Sequence, residues 1–324
     1  MGALVDGKWE YEPIGKSGGD GRFERQETTF RDQVEDREGA RFAPESGRYH
    51  LYVSYACPWA HRTLIARKLK GLEPHIDLSV VDPLMGPEGW AFGDDPDGMD
   101  DPVNGARYLR EVYLAADPRY TGRVSVPVLW DKREGTIVSN ESSEILRMFN
   151  SAFDRLPGVN AELDLYPAPL RAEIDRVNDG VYTDINNGVY RNGFAGTQAA
   201  YEEAFDALFA RLDETEERLS HHRYLVGDRI TEADWRLFVT LVRFDAVYVA
   251  HFRCNLRRIA DYPNLSNYLR ELYQMPGVAE TVNIRHIKEH YFRSHESLNP
   301  KGIVPKGPEL NFDLPHDRGR LLAA

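Results

Sequence analysis

Between Arg48 and Gly71 the side-chain pattern changes period, and the change falls on Cys57-Pro58. Residues Arg48 to Ser54 alternate with aromatic and β-branched side chains, the signature of a strand. After Pro58 the apolar Trp59, Leu64, Ile65 and Leu69 recur at helical spacing, and Gly71 supplies a C-terminal stop. His75 to Val81 read as a second strand. Val126-Pro127-Val128-Leu129-Trp130 and Thr136-Ile137-Val138 then read as a strand pair joined by Asp131 to Gly135. Ser139-Asn140-Glu141-Ser142 opens a helix running to about Asn150. The order is β-α-β, a connection, then β-β-α.

That connection, residues 82–122, contains the acidic run GDDPDGMDDP and is too long for an ordinary loop, which suggests a functional loop or a surface excursion. From about Leu165 the pattern is helical almost throughout. Its clearest start signal is Thr231, able to cap a helix, with Asp234 three positions on and Ile230 and Trp235 placed as a hydrophobic staple. The first 46 residues, polar and rich in Gly, Arg and Glu, read as an extended arm that packs on the body in part. The tail after Asn299 is rich in Pro and Gly and reads as irregular.

The 324 residues suggest two domains at roughly 150 residues each. With 42% hydrophobic and 28% charged residues the chain can fill a core. The expected division is an arm over 1–46, an α/β domain over 47–155 with the insertion at about 82–122, and an all-helical domain over 156–324. A net charge of −12 argues against nonspecific binding to nucleic acid or anionic lipid. No stretch approaches the roughly 20 apolar residues of a membrane span. The N-terminus lacks the basic-then-apolar layout of a secretory signal, and two cysteines provide no disulfide framework. A cytoplasmic, reducing compartment is the expectation.

Cys57 sits where a strand ends and a helix begins, with Pro58 at a favourable first-turn position. Backbone N–H groups and the positive helix end stabilise a thiolate there, the form that exchanges sulfur. The plainer reading is a small buried hydrophobe. In Cys57-Pro58-Trp59-Ala60 the fourth position, where a dithiol oxidoreductase carries its resolving cysteine, is alanine. Cys254, in a helical region, reads as a core residue. A mixed disulfide on Cys57 therefore has to be released by an external thiol, which points to a glutathione-dependent monothiol enzyme. Val126-Pro127 is expected to be cis, exposing the Val126 backbone to an extended peptide. The helix start at Glu141 and Ser142 is a natural carboxylate site, although simple capping by Ser139 or Asn140 explains the same residues.

These residues resemble the glutathione transferase fold: a thioredoxin-like α/β N-terminal domain followed by an all-α C-terminal domain. More narrowly, Cys57-Pro58-Trp59-Ala60-His61-Arg62-Thr63, Arg123 to Asp131 and Val138 to Ser142 resemble the glutathionyl-hydroquinone reductases, or Xi-class transferases. So do Asn186 to Tyr190, Arg243 to Tyr248 and His290-Tyr291. The resemblance implies reductive removal of glutathione from a glutathionyl-hydroquinone by way of a Cys57–glutathione mixed disulfide. It implies glutathione against Trp90, Arg123, Val124, Ser125, Val126, Glu141 and Ser142. Tyr190 is implied as proton donor or acceptor to the aromatic substrate, with Tyr248 and Tyr291 assisting the cysteine. A homodimer is implied; no metal is expected. Among 17 tyrosines, packing with a wet tip is the plain alternative for any one.

Two further readings are an omega-like thioltransferase or dehydroascorbate reductase, which uses the same cysteine chemistry, and a non-enzymatic binding protein of the same fold, which does not need Cys57. His286-Ile287-Lys288-Glu289-His290 formally matches a zinc pattern but lacks a metalloprotease context, and reads as a helical polar face.

Overall fold

The computed structural model describes residues 2–11 and 18–321. They fall into two compact units. Among them the first comprises residues 2–11, 26–164 and 281–304, and the second residues 18–25, 165–280 and 305–321.

In the first unit, strands Gly2–Val5 (β1) and Lys8–Tyr11 (β2) form a hairpin. Its two-residue turn is Asp6-Gly7, both with positive φ (47° and 76°), as a primed turn requires. The expected strand-helix-strand unit follows as Tyr49–Val53 (β3), Pro58–Leu69 (α1) and Ile76–Val80 (β4). The insertion carries a helix, Leu109–Ala116 (α2), and a short strand, Gly122–Arg123 (β5), that pairs with β1. Val128–Asp131 (β6), Thr136–Ser139 (β7) and Ser142–Ser151 (α3) complete the α/β pattern.

The four-stranded sheet has the order β4-β3-β6-β7, with β3 parallel to β4 and antiparallel to β6. All five residues of β3 are buried, as a strand covered on both faces requires. Leu51, Val53, Leu129 and Ile137 share its core with Leu64 of α1 and Ile145 and Phe149 of α3. Burying a side chain such as Phe149 is worth about 2–3 kcal/mol. The buried pair Arg48–Asp131 closes the β3–β6 register at one end, the Arg48 Nε donating at 3.0 and 2.9 Å to the two carboxylate oxygens.

The insertion is organised by buried carboxylates rather than merely solvated. Asp82 accepts from the backbone N–H of Asp94 (3.1 Å) and Asp95 (3.0 Å). Asp101 accepts from the Tyr52 hydroxyl (2.8 Å) and from the N–H groups of Val103, Asn104 and Ala106.

The second unit is helical: Arg171–Gly180 (α4), Gly188–Gly193 (α5), Gln198–His221 (α6), Glu232–Arg243 (α7), Val249–His251 (α8) and Pro263–Tyr273 (α9). The backbone is wound as π-helix over Val181–Asn186 and again over Phe244–Tyr248. The expected capping box is formed at α7. Asp234 accepts from the Thr231 N–H (2.8 Å), and also from Leu225 N–H (2.9 Å) and the Tyr268 hydroxyl (2.7 Å). The tail is irregular until Arg318, whose buried guanidinium donates to the carbonyls of Leu219, His222 and Arg223 at the end of α6.

The last helix, Ile284–Ser294 (α10), belongs to the first unit, where the sequence placed it with the helical domain. Ion pairs are part of the reason, beside the stacking of His290 on Trp90. Arg285 donates to Asp95 (2.6 and 2.8 Å) and Asp97 (2.7 Å), and His286 Nε2–H donates to Asp95 (2.9 Å). Conversely, residues 18–25 of the arm belong to the second unit, where Gly196 N–H donates to the Gly21 carbonyl at 2.8 Å.

Candidate active site

Cys57 is the N-cap of α1, in extended conformation (φ −77°, ψ 120°), with Pro58 at the first helical position. It is a half-buried thiol whose Sγ donates to the Val126 carbonyl at 3.7 Å. The Val126–Pro127 bond is cis, as expected. The strand-to-helix junction and the proline turn thus bring Cys57 and Val126 together.

Glu141 is the N-cap of α3, so the capping the sequence offered to Ser139 or Asn140 falls to the carboxylate itself. Its Oε1 accepts from the Ser143 N–H (3.0 Å) and hydroxyl (2.8 Å), and its Oε2 from the Thr28 hydroxyl (3.0 Å). Burial pushes this carboxyl up, but the bonds from Ser143 and Thr28 and the charge of Arg62 outweigh it and hold Glu141 below its ordinary value. Arg62, one turn into α1 and buried, reaches the Ser142 hydroxyl with Nη1 at 3.5 Å and lies over the Trp59 ring at 4.7 Å. A buried cation and a helix start therefore meet at Ser142, a combination suited to a carboxylate. Sequence reasoning assigned Arg62 no role; its place five residues after Cys57 was the available signal.

Arg123 lies in β5, paired with Ala3, and its carbonyl accepts from the Tyr120 hydroxyl at 3.2 Å. Val124 is buried, and Ser125 is held by a residue the sequence did not single out, Tyr113 of α2. The Tyr113 hydroxyl donates to the Ser125 carbonyl (2.8 Å) and accepts from Ser125 N–H (3.3 Å) and Asn140 Nδ2 (3.1 Å). Burial pushes this phenol up to about 12, so it remains a neutral donor. It ties the 123–126 segment to the residues that open α3.

Trp90 is buried, and its indole stacks on His290 of α10, centroids 4.7 Å apart and planes 23° from parallel. His290 Nδ1–H donates to the Pro83 carbonyl at 3.0 Å. Tyr291, also buried, meets the edge of His295 at 5.3 Å. Tyr291 therefore shares the first unit with Cys57 and Trp90, not the helical one.

Tyr190 and Tyr248 stand together in the second unit, ring centroids 6.3 Å apart. Tyr248 stacks on Phe252 (5.4 Å, 7°), and Phe252 also meets Tyr190 at 5.3 Å. A Cβ on Gly193 would fall 2.1 Å from the Phe252 ring, so only glycine lets the ring lie on α5. Each tyrosine adjoins a π-helical stretch: Tyr248 ends one, and α5 follows the other. Such stretches are frequent at functional sites, and nothing in the residue pattern announced them.

Among the described residues, Asp95, Asp97 and His286 are spaced as metal ligands, but Arg285 is the counter-ion of both carboxylates. The members of the formal zinc pattern have different partners: His286 meets Asp95, Glu289 meets Arg285 and Arg293, and His290 meets Pro83. No described helix is long and apolar enough to cross a membrane.

Family models of the glutathione S-transferase N-terminal domain and C-terminal domain match residues 56–152 and 198–271. The glutathionyl-hydroquinone reductase PcpF of Sphingobium chlorophenolicum is 57% identical, covering 95% of this chain and 96% of its own. YqjG of Escherichia coli, also named a glutathionyl-hydroquinone reductase, is 53% identical over 98% of both chains. Its glutathione-bound structure matches with a TM-score of 0.90, at 51% identity over 98% of this chain and 99% of that one. A Xi-class transferase from Natrialba magadii matches with a TM-score of 0.93, at 52% identity over 99% and 97% of the two chains. With its cysteine at a strand-to-helix junction, beside a cis-proline turn, the chain belongs to the glutathione transferases, in the family of the glutathionyl-hydroquinone reductases.

Proposed function

We propose that this protein reduces glutathionyl-hydroquinones to hydroquinones with glutathione, through a mixed disulfide on Cys57. The observation that carries this reading is the contrast between its two cysteines. Cys57 is a half-buried thiol at a helix start, with alanine where a resolving cysteine would stand. Cys254 is wholly buried, and burial pushes its thiol up to about 12, which leaves it inert at neutral pH.

The Cys57 thiolate attacks the sulfur of the conjugate. A disulfide to Cys57 forms, and the carbon–sulfur bond breaks with its electron pair passing to the ring carbon. That carbon takes a proton, and the hydroquinone leaves. A glutathione thiolate then attacks the mixed disulfide, releasing oxidised glutathione and restoring Cys57. Tyr190 is assigned the proton transfer to the aromatic ring, and Tyr248 and Tyr291 the support of the cysteine.

Glutathione is placed against Trp90, the Arg123-Val124-Ser125-Val126 segment, Glu141 and Ser142. Val126 offers its backbone, Glu141 accepts from the γ-glutamyl ammonium, and Ser142 with the start of α3 takes its carboxylate. The reaction needs no metal, and a cytoplasmic homodimer is the expected form, to be checked by light scattering.

Turnover of a glutathionyl-hydroquinone with excess glutathione tests the reading, with dehydroascorbate and a model disulfide beside it. Hydroquinone and oxidised glutathione should appear in equal amounts and be lost in Cys57→Ala. Turnover of the disulfide or dehydroascorbate alone would instead make the protein an omega-like thioltransferase.

A further inference from the structure

Residues 18–25 of the arm form a built strap on the second unit. Gly196 N–H donates to the Gly21 carbonyl (2.8 Å), and Arg22 pairs with Glu203 of α6 (2.6 Å). Gly21 has φ +83°, and a Cβ there would fall 2.6 Å from the Thr197 methyl, so the chain crosses the start of α6 at a point open only to glycine. This anchoring delivers two side chains to Tyr190. Phe23 stacks on its ring at 6.3 Å, and the Arg25 guanidinium lies 4.7 Å from the ring centroid. Arg25 is itself aimed by a 2.9 Å hydrogen bond from Nε to Asn187 Oδ1, in the turn that opens α5.

We propose that Arg25 is a positioning residue for the reductase reaction: its guanidinium fixes the plane of the Tyr190 ring and makes the phenol a readier proton donor. The inference rests on the proton-transfer role given to Tyr190 above. A cation over an aromatic face is attracted to it, and the attraction grows when the ring bears the negative charge of a phenolate.

Two carboxylates on the neighbouring elements have cations of their own, and Asp245 of the second π-helical stretch accepts from the Ile259 and Ala260 N–H groups. Glu203 of α6 is shared between Arg22 and Arg191 (3.3 Å), and Asp184 of the first π-helical stretch pairs with Arg211 (2.9 Å). Burial, with the charge of Arg253, pushes His251 of α8 down to about 4, so it is neutral at working pH. Tyr248 faces the ring as a second phenol. Arg25 thus lies over the ring itself, while Glu203 and Asp184 face cations of their own.

The test uses the full-length protein as wild type, Arg25→Gln, Arg25→Lys, Tyr190→Phe and the Arg25→Gln/Tyr190→Phe double variant. Ultraviolet absorbance titration, with Tyr190→Phe as the subtracted reference, follows ionisation of Tyr190. Arg25→Gln should move that ionisation upward by about half a unit to one unit, and Arg25→Lys should restore most of it. On the glutathionyl-hydroquinone, Arg25→Gln should lower kcat about three- to tenfold while leaving KM for glutathione unchanged. In the Tyr190→Phe background it should have no further effect.

An unmoved titration, or an equal additional loss in the Tyr190→Phe background, would overturn the proposal while leaving the role of Tyr190 intact. Full activity in Tyr190→Phe alone would overturn that role and this inference with it.

Discussion

The imidazole of His290 lies flat on the indole of Trp90, the ring centroids 4.7 Å apart. One helix near the C-terminus thereby covers a tryptophan from the start of the long insertion. The bond from His290 Nδ1–H to the Pro83 carbonyl holds the imidazole in that position. His290→Ala should cost about 2–3 kcal/mol of stability in urea unfolding, from the lost stack and the cavity left behind. Since Trp90 is proposed to lie against glutathione, KM for glutathione should rise several-fold with a smaller change in kcat. An unchanged KM would separate Trp90 from glutathione binding.

Tyr113 joins two segments of the proposed glutathione site through one hydroxyl, bonded to Ser125 and Asn140. Tyr113→Phe keeps the ring but leaves the half-buried Ser125 backbone and the buried Asn140 amide without this partner, at a cost of about 1–3 kcal/mol. The expected kinetic sign is a raised KM for glutathione, with the rate of Cys57 alkylation in the absence of glutathione unchanged. A parallel fall in the alkylation rate would show that the substitution disturbs the cysteine turn as well.

Glu141 titrates below its ordinary value of 4.5 in the folded protein. A depressed carboxyl stabilises the fold fully above its unfolded value and loses that contribution as pH falls through the folded one. Glu141→Gln should therefore be less stable than wild type by about 1 kcal/mol at neutral pH, the usual size of a lost cap. The difference should shrink as pH drops below about 4.5, where wild-type Glu141 also becomes neutral. Chemical denaturation at pH 7 and pH 3.5 checks the sign; a gap that widens in acid would contradict it.

Arg285 fastens α10 to the insertion through Asp95 and Asp97, and this guanidinium first of all holds the Asp95 carboxyl well below the usual range. Arg285→Ala should cost about 1–2 kcal/mol, since several charges share the network, and the cost should fall in high salt. Limited proteolysis should then cut more quickly within residues 93–102. Cleavage as slow as in wild type would mean that Asp82 and Asp101 hold the insertion unaided.

The α/β body was legible because its sequence carries two clear periods. Arg48 to Ser54 and Trp59 to Leu69 map onto β3 and α1, and the Thr231–Asp234 box opens α7 as read. The hairpin at Asp6-Gly7 was readable too, because that dipeptide between Gly2–Val5 and Lys8–Tyr11 is a strong turn signal, but the polar arm around it hid the strands. Within the insertion, Leu109, Val112, Tyr113 and Ala116 keep helical spacing, masked by the acidic residues before them.

The remaining features arise from contacts distant in sequence. That α10 sides with the insertion depends on Arg285 meeting Asp95, 190 residues away, and the bonds of Tyr113 and the placing of Arg25 depend on how segments fold back. The site residues could be named from a resemblance, but the groups that orient them, Arg62, Tyr113, His290 and Arg25, became visible only in three dimensions.

The central claim is that Cys57 accepts the glutathionyl group, and a single turnover tests it most directly. The protein is mixed with one equivalent of glutathionyl-hydroquinone and no glutathione, then examined for released hydroquinone and by peptide mass spectrometry. The account predicts one hydroquinone per active subunit and a glutathionyl group on Cys57, removed by added glutathione as its oxidised form. Hydroquinone release without modification of Cys57, or a glutathionyl group on Cys254, would contradict it.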